Sequence, residues 1–114
     1  MIIEDDKVVL ELSLKERILA VTRRRKIILN LKDIREILPA NSINILYKIL
    51  GLSMPGTKAR YGFFMTDRGL ALCIAHDISS AVAFIVNNQD FDLIVTNIDE
   101  LTLQEIVSKV GETQ

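Results

Sequence analysis

The chain of 114 residues has no tryptophan, one cysteine, one histidine, two prolines and five glycines. Each scarcity removes a class of explanation. The single cysteine, Cys73, cannot close an internal disulfide, so no oxidative staple is expected and a reducing cytoplasm is the expected compartment. One cysteine and one histidine, His76, cannot build a zinc site from nitrogen and sulfur ligands of one copy. The five glycines are scattered and match neither a phosphate-binding loop nor a dinucleotide fingerprint, so no cofactor is expected. Aromatic residues make up 5% and none lies beside the basic cluster, which removes a stacking platform for single-stranded nucleic acid. No apolar run approaches the ~18 residues that a membrane span needs. Residues 1–12, with Glu4, Asp5 and Asp6, lack the basic start and apolar core of a signal peptide. Net charge is −1, so no overall field gathers nucleic acid or an anionic membrane.

What is present is apolar surface in short runs. Apolar residues make up 49% and charged residues 25%, the composition of a globular chain, and the length suits one domain over residues 1–114. Four stretches in the second half, 59–66, 70–76, 81–86 and 91–97, are β-rich and bounded by turn residues. Asp67-Arg68-Gly69 reads as a hairpin turn with Gly69 free to take positive φ. Leu70, Leu72 and Ile74 alternate with Ala71, Cys73 and Ala75, and small residues on one face suit a curved, tightly closed sheet. Residues 7–12 and 26–31 make two earlier strands. Residues 33–38 either continue the second after a bend or pair with it, and Pro39, without an amide donor, ends them.

Three helices are expected. Ser13-Leu-Lys-Glu16 has the spacing of a capping box and starts a short helix at about 14–23. Asn41 or Ser42 could cap a second over 43–50, with Ile43, Ile45, Leu46, Ile49 and Leu50 mostly buried, on the end of the core or in a subunit contact. Thr102-Leu-Gln-Glu105 is a second capping box, and Leu103, Ile106, Val107 and Val110 follow on one helical face until Gly111 ends it.

Seven strands followed by one C-terminal helix resembles the pleckstrin-homology-like fold. The chain is similar to a small prokaryotic group of such domains in the stretches 13–20, 26–34, 50–57 and 61–69, in His76-Asp77 and in Phe91-Asp-Leu-Ile-Val95. The resemblance implies a mainly β domain: a seven-stranded, partly open barrel of two antiparallel sheets, closed by the C-terminal helix. Its motifs are structural, and the fold hosts lipid, phosphopeptide and protein binding alike.

No catalytic set emerges. Cys73 and His76 point to opposite faces of a strand, so they cannot act as nucleophile and base. Asp90, Asp92, Asp99 and Glu100 read as turn and helix-start residues rather than paired carboxylates. The expected function is therefore a non-enzymatic interaction module that binds protein, a second copy of itself first, through Ile43, Ile45, Leu46, Ile49 and Leu50. The alternative is an anion-binding module, for a lipid headgroup or nucleic acid, that uses Arg23, Arg24, Arg25 and Lys26. The plainer account of that cluster is a solvated helix end facing the negative pole of the dipole.

Overall fold

A computed structural model describes residues 2–4, 6–11, 26–53, 58–88 and 90–113. The expected helix at 14–23, with its Ser13 capping box, and Arg23, Arg24 and Arg25 lie outside the described residues. Among the described residues nine strands and one long helix follow in chain order: β1 (Ile2–Glu4), β2 (Lys7–Glu11), β3 (Lys26–Asn30), β4 (Ile34–Pro39), β5 (Ile45–Ser53), β6 (Arg60–Thr66), β7 (Gly69–Ala75), β8 (Val82–Val86), β9 (Leu93–Thr96) and α1 (Glu100–Thr113). They form a three-stranded sheet, β1-β2-β3, and a six-stranded sheet in the order β4-β8-β9-β7-β6-β5.

The chain passes between sheets at residues 31–33, a turn of 3-10 helix. Leu31 N–H donates to the Asp6 carbonyl (2.8 Å) on one side, and Asn87 N–H donates to the Asp33 carbonyl (2.9 Å) on the other. The stretch after Asn30 thus continues the strand after a bend, and pairs with β8 instead of with β3.

Alternation gives the large sheet two unlike faces. Leu72, Ile74, Phe84, Val86 and Ile94 pack against Val8, Leu10, Ile27 and Leu29 of the small sheet and against Ile106 and Val110 of α1. The opposite face carries Ala71, Cys73, Ala75, Ala83, Leu93 and Val95, which pack with Phe64 and with Ala40 and Ile43 of the β4–β5 link. That link is short. A flat sheet of this width spans ~24 Å between edge strands. Residues 40–44 reach at most ~20 Å when extended, and part of the link is wound into a 3-10 turn. The sheet must curl, and small side chains on its inner face let it do so.

Several expectations are corrected. The large sheet is not purely antiparallel, and its edge strands β4 and β5 do not pair to close a barrel. β9 lies parallel to β7, Ala71 opposite Leu93 and Ile74 opposite Thr96, and separates β7 from β8. Local turn signals between successive strands do not reveal an insertion of this kind. Residues 45–50 are strand, not helix. A short apolar run cannot be assigned by periodicity alone, and the β-branched Ile45 and Ile49, with Tyr47 between them, favour a strand once β6 offers a partner.

Helix α1 begins earlier and ends later than its motif suggests. Asp99 takes the capping role: its carboxylate accepts from Thr102 N–H (3.0 Å) and from the Thr102 hydroxyl (2.8 Å). Gly111 does not stop the helix. It stays inside α1 in an open setting where nothing requires a left-handed residue.

Candidate functional site

Glycine shapes the outer hairpin of the large sheet. Gly51 and Gly62 sit opposite each other across β5 and β6, with φ of +131° and +124°. A Cβ on Gly62 would meet the Leu50 carbonyl oxygen and stand 2.6 Å from Gly51 Cα. Only glycine fits either position, and the pair lets the two backbones approach and kink.

N-terminal to that kink, β5 is an edge strand whose outer side has no strand beside it among the described residues. The register with β6 skips Leu46 and Ile49, so two bulges bend the strand there. Its large apolar side chains face water: Ile45 is 37% exposed, Leu46 61%, Tyr47 58%, Ile49 51% and Leu50 47%. The side chains expected in a mostly buried helix are therefore exposed on a strand, and Ile43 alone of the group is buried, beneath the curl. On one face the apolar surface continues onto β6, where Leu50 lies opposite the half-buried Phe63 and Tyr47 opposite Met65. Phe64, on the other face, is core. The start of β5 is pinned by Asn44, whose N–H donates to Asp67 Oδ1 (2.9 Å), while Asp67 N–H donates back to the Asn44 carbonyl (3.0 Å).

A concavity of about 520 Å³ lies between β4 and α1. Ile37, Pro39, Val82, Leu103, Val107 and Val110 line it, with Arg35 and Glu36 at the rim. Val107, expected in the buried stripe, is half exposed here. Glu36 pairs with Arg68, and Arg35 donates to Asn87 Oδ1 (3.5 Å).

Three titratable groups are shifted by their surroundings. Cys73 is fully buried, and that burial pushes its thiol up from 9.0 to about 12, against a smaller opposing pull from the Arg60 charge. His76 is exposed at the end of β7, and its N–H donates to Asn97 Oδ1 (2.9 Å). Asn97 also accepts from Asp77 N–H (3.2 Å) and donates Nδ2 to the Asp77 carbonyl (2.9 Å), a tie between the ends of β7 and β9. Hydrogen bonds from Ser79 hold the Asp77 carboxyl below its ordinary range, and those from Thr102 do the same for Asp99. Asp92 Oδ2 accepts from Leu70 N–H (2.8 Å) beside Gly69, whose φ is +113°. Among the described residues no group of three or more His, Cys, Asp or Glu could hold a metal ion. No helix among them is long and apolar enough to cross a membrane.

Of the predicted site residues, Ile45, Leu46, Ile49 and Leu50 are brought together on β5. Of the basic cluster only Lys26 is within the described residues, as the start of β3 opposite Glu11, and its side chain is not described. Tyr47 and Met65 were missed as members of the apolar surface, whereas Phe63 and Phe64 alternate in the sequence, one for the core and one for a surface. The alternation of Ile45, Tyr47 and Ile49 is the signal that could have found Tyr47. The cross-strand positions of Phe63 and Met65 follow only from the register. No protein-family model, no curated protein and no solved structure matches the chain.

Proposed function

We propose that this protein is a non-enzymatic interaction module that binds protein through the outer side of β5, with a second copy of the same chain as the first partner. One observation carries the reading: a nine-residue edge strand that exposes five large apolar side chains. Strand edges in water are normally short, charged or covered, because an open edge recruits other chains. An exposed apolar patch on an ordered sheet marks a contact surface. The reading does not depend on the pleckstrin-homology-like resemblance. The C-terminal helix packed on a β core supports that resemblance, and the parallel β7–β9 pair departs from its meander.

Light scattering of the purified protein across concentration, at low and at high salt, tests the proposal. Apolar association should persist or strengthen at high salt, since the contact is not made by opposed charges. Ile49→Asp should return the protein to monomer mass with its melting temperature kept. A parent protein that stays monomeric throughout, or an Ile49→Asp variant that associates as the parent does, overturns the reading.

A further inference from the structure

We propose that β5 pairs antiparallel with β5 of a second copy about a two-fold axis near its midpoint, which joins two curled sheets into one and closes the assembly as a dimer. The inference rests on β5 as the docking surface and adds how the partner sits and why assembly stops at two.

The backbone of β5 argues for pairing by strand addition. β6 satisfies one side of the strand, and among the described residues the other side has no partner strand. Outward amides and carbonyls there can pair with water or with another strand, and a second strand also covers the side chains. The usual guards against that pairing are weak. β5 has one charge, Lys48, and no proline. Its bulges, which in a guarded edge would turn charge outward, turn out Leu46 and Ile49.

Size and charge fit a second copy. The exposed side chains of residues 45–50 offer on the order of 500 Å² per copy, so a contact that covers both sets removes on the order of 1,000 Å² from water, where specific association begins. A two-fold axis near the strand midpoint sets the two Lys48 groups off from each other. Parallel in-register pairing would stack them, and like charges directly opposite destabilise a strand pair. An isologous contact uses the same patch on both copies and so consumes it.

Closure follows from the other edge. Among the described residues β4 is the other edge of the large sheet, and it ends in Pro39 and carries Arg35 and Glu36, the latter paired with Arg68. Such an edge does not add a third copy.

Cysteine placement tests this cleanly, because the native thiol is buried and raised to about 12 and so stays silent. Ile49→Cys, at the midpoint of β5, puts a thiol at the axis, where it faces its own copy, and Gln104→Cys, exposed on α1, serves as the control. Mild oxidation of the full-length protein should give a covalent dimer with Ile49→Cys and little with Gln104→Cys, and light scattering should plateau at twice the monomer mass. A dimer dispersed by Ile49→Asp that does not cross-link at position 49 overturns the pairing while the docking reading stands. A mass that climbs past two copies overturns the closure. A monomer at every concentration overturns both readings.

Discussion

The two edges of the large sheet are built on opposite rules. β4 is six residues long, carries Arg35 and Glu36, and ends in a proline. β5 is nine residues long, and of residues 45–50 only Lys48 is charged. Both edges contain bulges, so backbone irregularity does not distinguish them. Side-chain chemistry does. At β4 the carboxylate of Glu36 reaches Arg68, and Arg35 donates to Asn87 Oδ1. At β5, leucine and isoleucine stand where such charges would be. A sheet that needed both edges free would guard both. The difference teaches that edge chemistry, more than strand length or bulging, separates an edge left to water from one suited to a partner.

The largest effect expected is Gly62→Ala. The new methyl meets the β5 backbone at a left-handed position, so the cost is about 3 kcal/mol or more. The comparison breaks on the β5 side: association should vanish with the strand, and urea unfolding should shift strongly. An unshifted midpoint would show that the glycine pair does not shape the edge.

Asn97→Ala acts between the edges. It removes the hydrogen bonds to His76, Asp77 and Ser80 and should cost roughly 1–3 kcal/mol. Because it touches neither edge, global stability should fall while the dimer mass at saturating concentration holds. Loss of association at folded concentrations would instead tie the edges to this junction.

Removing the guard sharpens the contrast. Arg35→Val with Glu36→Val should change stability by less than about 1 kcal/mol, since exposed ion pairs contribute little. It should let assembly pass beyond the dimer, read as a mass that rises with concentration. A variant that still stops at two would show that Pro39 and the bulge suffice to guard β4.

The smallest effect is that of pH. The Asp77 and Asp99 carboxyls sit below their unfolded values, so their contribution is full above the ordinary carboxylate range and is lost as pH falls through the lowered values. Thermal stability should decline modestly below pH ~4. Asp99→Asn should flatten that decline, and an unchanged profile would remove the capping carboxylate from the account.

How much of this was legible depended on range. The strands around Tyr61–Met65, Leu70–Ala75 and Val82–Val86, the positive φ of Gly69 and the burial of Cys73 all follow from near-neighbour patterns. The helix over Leu103–Val110 was legible as an amphipathic face, but Asp99, three residues before Thr102, outcompeted it as the cap. The candidate site was half legible. The apolar residues of 45–50 stand out in the sequence, but a helix and an edge strand can be written with the same letters.

The sequence by itself determined which segments alternate, where turns fall, that one face would be alanine-rich, and that residues 43–50 concentrate apolar surface. Only the tertiary structure decided which strands become neighbours. It put β9 parallel to β7, sent β4 and β5 to opposite edges across a five-residue link, and left residues 45–50 facing water. The physical reason is that alternation and turn chemistry are fixed within a few residues by backbone sterics. Pairing is a competition among distant segments for hydrogen bonds and apolar contact, and no window of the chain contains both competitors.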